Sequence, residues 1–256
     1  MKLFDKIHAR SITRPRRILL YGIRGIGTST LASGLRAPVF IPTDESTNHV
    51  VCSRFPVCRR FDQIMQALQE LYVEPHEYGT VVIDSLDSVE LLIGDELCRA
   101  RNAEHLAAIP DGQALALAQW QKLLRRLDLL SSDIGLHIVL VGHAQLHRPA
   151  SAVHRGSHTQ RWEPALNDQA SGRIQSWCDE VLFATHANRG HGGGKLSAEA
   201  AHDHRVIYTA PARAHAAKNH LRLPPRLPMQ VAALLPYLQS VLPPQAHINE
   251  SARGPS

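Results

Sequence analysis

No apolar run in this 256-residue chain reaches the roughly 18 residues that a membrane span needs, so no membrane helix is expected. The opening MKLFDKIHARSITRPRR has basic residues but no apolar core behind them, and no secretory signal is read there. Cysteine is scarce. Cys52, Cys58, Cys98 and Cys178 are scattered, which speaks against a disulfide framework and for buried or free thiols in a cytoplasmic protein. The histidines of HANRGHGGG and HDH lack ligand spacing, and Cys52 and Cys58 have no second pair nearby, so structural zinc is not expected. There is no internal repeat and no Arg-rich lid of the kind a small-molecule phosphotransferase would need.

What is present suffices for a core. Hydrophobic residues make up 44% of the chain, enough for one large α/β domain or two small ones. The formal charge is +5, which fits a polyanionic partner but is also common among proteins without one.

Short apolar runs alternate with longer helical patterns. RILLYGI (17–23), PVFIPTD (38–44), TVVIDS (80–85), HIVLVGHA (137–144), EVLFATH (180–186) and RVIYTAP (205–211) read as strands. Their nearly unbroken apolarity suits a parallel sheet covered on both faces. TSTLASGL, FDQIMQALQELY, SLDSVELLIGDELCRARNA and QALALAQWQKLLRRLDLLSS read as helices, and MQVAALLPYLQSVL as a short one. The alternation predicts a doubly wound α/β domain over residues 15–243, with a basic arm at 1–14 and a disordered tail at 244–256. The last two strands are expected to form an antiparallel hairpin.

The segment LYGIRGIGTST comes close to a phosphate-binding loop. Gly22 and Gly27 have the G-x-x-x-x-G spacing, and Ser29 stands where a Mg²⁺-ligating hydroxyl belongs. Thr28 occupies the place of the lysine that would reach the outer phosphates. Backbone N–H groups can cradle phosphate without a lysine. Gly22, Gly25, Ile26, Gly27, Thr28, Ser29 and Thr30 are therefore the candidate cofactor-binding residues. Arg24 is a possible substitute cation, and the competing reading is a ligand-free strand-to-helix turn.

Other candidates lie at predicted strand ends. Asp84 ends an apolar run and, with Ser29, is the candidate metal position; its competing role is a helix N-cap. Asp44 or Glu45 could orient an attacking water, and His143 could sense a phosphate or serve only as a structural hydrogen-bonding group. Ligands of open α/β sheets bind at the carboxyl ends of the strands, where all four features fall.

The series LLYGIRGIGTSTLA, PVFIPTDES, TVVIDSLDSVE, LVGHAQ, RWEPALNDQASGRIQSWCDEVLF and RVIYTAPARAHAAKNHLRLP resembles the phage-encoded RecA-like ATP-binding proteins with an AAA-type domain. The resemblance covers about residues 15–230. It implies a RecA-like P-loop fold, with a mostly parallel central sheet and helices on both faces. It implies ATP and Mg²⁺ as cofactors and a head-to-tail homo-oligomer acting on single-stranded DNA. It makes Asp84 the Mg²⁺-associated acid, Asp44 or Glu45 the catalytic carboxylate, His143 the residue after the sensor strand, and Lys218 a cation inserted into a neighbour's site. Thr28, the shorter Asp44, and His220 in place of an arginine depart from that pattern, so weak hydrolysis is expected. A hydrolysis-dead nucleotide- or DNA-binding module is the alternative. Arg148, Arg155, Arg161 and Trp162 are the candidate DNA contacts, through phosphate pairing and base stacking; the competing reading folds Trp162 onto the core.

Overall fold

A computed structural model describes residues 14–147, 160–187 and 205–238. Most of the N-terminal arm, the C-terminal tail, the Gly- and His-rich loop, Arg148 and Arg155 lie outside these residues.

The chain begins with β1 (Arg17–Gly22) and passes through a Gly-rich turn into α1 (Thr28–Ser33). It continues through β2 (Pro38–Pro42), β3 (Ser53–Arg54), α2 (Phe61–Val73), β4 (Thr80–Asp84), α3 (Leu86–Arg101) and α4 (Gly112–Leu129). After β5 (His137–His147) come β6 (Arg161–Pro164), α5 (Asp168–Trp177) and β7 (Glu180–His186). The last elements are β8 (Arg205–Tyr208), β9 (Lys218–Asn219), β10 (Arg226–Pro228) and α6 (Val231–Leu238).

Along the sheet the strands run β10, β8, β7, β1, β5, β4, β2, β3. The run from β7 to β3 is parallel. β8 lies antiparallel on β7, β10 antiparallel on β8, and β6 antiparallel on the far half of β5. This is the expected α/β class, a mostly parallel central sheet with helices on both faces. The predicted hairpin forms, but β10 covers the outer edge of β8.

The strands alternate across the sheet because both faces are covered. Leu19, Tyr21, Ile83, Leu140 and Phe183 pack into one core with α2, α3, α4 and α5. Their neighbours Leu20, Val82, Val141 and Leu182 pack into a second core with α1 and α6. Burying apolar side chains on both sides in this way is the main stabilising term, at roughly 25 cal/mol per Å² removed from water.

One consequence positions the candidate residues. β5 lies between β1 and β4, so Gly22 stands level with His143, and Asp84 level with both Val141 and Pro42. The Gly-rich turn, Asp84, His143 and the residues after β2 therefore gather at one edge.

Candidate functional site

The Gly-rich turn is shaped by close packing. A Cβ on Gly22 would lie 2.6 Å from the Ala184 carbonyl and 2.9 Å from Ile26 Cγ2. Gly25 and Gly27 take φ of 76° and 100°, the left-handed region that glycine enters without steric cost. Ile26 is buried in the core shared with α1 and α6, which anchors the middle of the turn. Among the described residues, the amides of Gly25, Gly27, Thr28 and Ser29 donate no turn or loop hydrogen bond. A run of free N–H groups around left-handed residues forms an anion-binding concavity. Thr28 and Ser29 are half-buried at the start of α1, and Thr30 is exposed.

Asp84 is 3% exposed, and its Oδ2 has no hydrogen-bond partner among the described residues. Burial pushes its pKa up to about 6; the nearby Ser29 hydroxyl opposes that rise, while Asp44 and Asp87 add to it. The N-cap of α3 is Ser85, not Asp84, so the helix-cap role is not the one adopted. Thr43 fastens this corner, its Oγ1 donating to the Ser85 carbonyl at 2.9 Å and accepting from the Ser85 amide at 2.8 Å.

Asp44 faces the same corner. Its Oδ1 accepts from the Ser46 amide at 2.8 Å, and its Oδ2 from Ser88 at 2.9 Å and Ser85 at 3.2 Å. Burial would raise its pKa, but these hydrogen bonds outweigh burial and hold the carboxyl below the usual range. It is thus a firmly ionised acceptor, suited to orienting a water rather than to storing a proton.

His143 Nδ1 lies 2.8 Å from Asp87 Oδ2. The Asp87 hydrogen bond raises the imidazole pKa, against burial and the nearby Arg24. Asp87 itself is held low: burial would raise it, and His143 more than offsets that.

Ser29, Asp84, Asp44 and His143 are therefore brought together. Glu45 is not: its exposed carboxylate pairs with Arg59 Nη2 at 2.6 Å. Lys218 is not brought there either. It pairs with Val181 near the start of β7, and its Nζ donates to the carbonyls of Cys178, Ser176 and Gln175 at 2.6, 3.0 and 3.3 Å. Of the candidate DNA contacts, Arg161 sits beside Glu163 at 3.4 Å, and Trp162 stacks on Phe183 with ring centroids 6.0 Å apart. Trp162 thus takes the alternative left open by the sequence, against the core.

Two residues at this edge escaped the sequence reading. Asp87 sits in the first turn of α3, where an acidic residue favours the helix's positive end, and that was the signal available. Arg205 begins β8, and its Nη1 donates to the Ile26 carbonyl at 3.1 Å. The expected antiparallel pairing of β8 with β7 brings it to the turn, but the segment RVIYTAP is read for its apolar run and not for the arginine that opens it.

The donor set suits one kind of metal. A serine hydroxyl beside a buried carboxylate with a free oxygen offers hard oxygen ligands in a partial shell, which fits Mg²⁺ completed by phosphate and water. No cluster of three or more His, Cys, Asp or Glu able to hold a metal occurs among the described residues. No helix among them is long and apolar enough to cross a membrane.

Comparison with known proteins gives a family match over residues 14–221, described as an AAA domain. The crystal structure of the RadB recombinase is similar with a TM-score of 0.43 and 13% identity, covering 76% of this chain and 80% of that one. No curated protein matches.

Proposed function

The chain belongs to the AAA domain family, and from that premise we propose that it binds ATP with Mg²⁺ at the carboxyl edge of its sheet and hydrolyses it weakly. The observation that carries this reading is the Oδ2 of Asp84 beside Ser29, unpartnered among the described residues, next to a turn whose Gly25, Gly27, Thr28 and Ser29 amides are free among them. Gly25, Gly27, Thr28 and Ser29 would hold phosphate oxygens through their backbone. Ser29 and Asp84 would hold Mg²⁺, which when bound neutralises charge on the outer phosphates. Asp44 would orient a water and His143 would sit near the outermost phosphate. Glu45 is the weaker candidate for the carboxylate because Arg59 engages it.

Weak turnover follows from Thr28, which cannot supply the lysine's charge at the transition state. A nucleotide-binding module without turnover is the second reading, favoured by the same residue. Action on single-stranded DNA in phage recombination or replication, and head-to-tail assembly, belong to this proposal through the family resemblance and the +5 charge. The test is calorimetric titration of Mg²⁺-ATP, with and without single-stranded DNA. Micromolar binding supports the reading, and absence of heat in both conditions overturns it.

A further inference from the structure

We infer that Arg205 supplies the cation this loop lacks, holding the terminal phosphates of the nucleotide from β8 in place of a lysine at position 28. The inference rests on the nucleotide reading above and deepens it.

Three observations lead to it. The first is position. β8 runs antiparallel to β7, so its first residue lies level with His186, beyond the end of β1. There Arg205 Nη1 is 3.1 Å from the Ile26 carbonyl and 2.9 Å from where a Cβ on Gly27 would stand. The guanidinium therefore rests on the turn itself, over the residue before Thr28.

The second is an unsatisfied hydrogen-bond donor. Arg205 is half-buried, its Nε is buried with no partner, and it has no ion pair among the described residues. A guanidinium cannot shed its proton to escape such a position, and a buried N–H donor without a partner is costly. An anion arriving at the turn removes that cost. The planar fork suits two phosphate oxygens at once.

The third is the alternative cation. Arg24 lies within the loop but is exposed, where water competes for it. Gly27 adds a steric link: a side chain there would displace the Arg205 guanidinium.

The experiment titrates Mg²⁺-ATP and AMP into the unaltered chain, Arg205→Gln, Thr28→Lys and the double variant. Glutamine keeps a donor for the Ile26 carbonyl without the charge. Losing a charge-assisted contact should weaken ATP binding on the order of ten- to a hundred-fold, with AMP little changed. Thr28→Lys should restore ATP binding in the Arg205→Gln background, yet raise it less than about three-fold alone, because the charge is already supplied. Equal ATP affinity of Arg205→Gln and the unaltered chain overturns the inference while the nucleotide reading stands. Should Arg205→Gln not fold, Thr28→Lys alone decides: a gain of ten-fold or more overturns it. No ATP binding by either the unaltered chain or Thr28→Lys removes the nucleotide reading and the inference together.

Discussion

The imidazole of His143, at the end of the buried half of β5, is held 2.8 Å from the carboxylate of Asp87 in the first turn of α3. The pair ties a strand tip to a helix start and sets Nδ1 as the ring nitrogen that meets the carboxylate. His143 is raised above 6.5 chiefly by Asp87, with burial and Arg24 opposing and Asp84 assisting. Its contribution to stability is therefore full below about 6.5 and is lost as pH rises through the raised value. Asp87 is lowered below 3.8, so its share is present above 3.8 and is lost as pH falls through the lowered value. The pair should stabilise most between these limits. Asp87→Asn should bring the His143 titration, followed by NMR of the ring protons, down from its raised value. The variant should lose roughly 0.5–1.5 kcal/mol near pH 5.5 and less at pH 8. An unchanged His143 titration would refute the pairing.

Asp84 has the opposite sign. Its folded pKa of about 6 lies above the ordinary 3.8, so its ionised form costs stability above that range and nothing below it. Asp84→Asn should therefore make the nucleotide-free chain more stable at neutral pH, by about 1–3 kcal/mol, with the gain shrinking toward pH 4. The same change should abolish the Mg²⁺ dependence of ATP binding. Thermal melts at pH 4.5 and 7.5, with and without Mg²⁺-ATP, read both effects. A less stable variant at pH 7.5 would mean that the carboxylate is satisfied in the absence of ligand.

Much of this edge is legible in the sequence, for a reason visible in residues 18–22. Ile18 and Leu20 enter one core, Leu19 and Tyr21 the other, so the strand reads as an unbroken apolar run ending in glycine. The runs ending at Asp84 and near His143 have the same cause, and parallel order then places their ends together. Short strands set by partners elsewhere are not legible. β9 is two residues held against β7, and β6 is a return strand on β5. α5 was missed although its cap is written in the chain: Asn167 Oδ1 accepts from the Ala170 amide at 3.0 Å. Arg205 was missed although the β7–β8 hairpin is expected, because a hairpin pattern does not say that the side chain opening its second strand reaches the Ile26 carbonyl.

Gly22 tests how tightly the turn is built. A methyl there meets the Ala184 carbonyl, which is backbone and cannot swing aside. Gly22→Ala should cost about 1–3 kcal/mol in denaturant unfolding and weaken ATP binding. Gly94, inside α3 with nothing within 4 Å of its would-be Cβ, is the control. Gly94→Ala should stabilise by roughly 0.5–1 kcal/mol through helix propensity and leave nucleotide binding unchanged. Equal behaviour of the two variants would remove the steric account of the turn.

Lys218 separates two roles that the resemblance and the geometry assign to one side chain. The resemblance makes it a cation that enters a neighbour's site. The geometry commits all three ammonium donors to the carbonyls of Gln175, Ser176 and Cys178, which close the end of α5. Those carbonyls carry the negative end of the helix, where a cation is favourable. Lys218→Met keeps the aliphatic stem and removes the cap, so stability should fall by about 1–2 kcal/mol while ATP affinity holds. Turnover per folded subunit decides between the roles. If it is unchanged, Lys218 is a cap. If it falls, mixing Lys218→Met subunits with Asp84→Asn subunits becomes informative, because each kind carries what the other lacks. Recovered turnover in the mixture would show the ammonium leaving α5 to serve a neighbouring subunit, and the cap would then be its resting position.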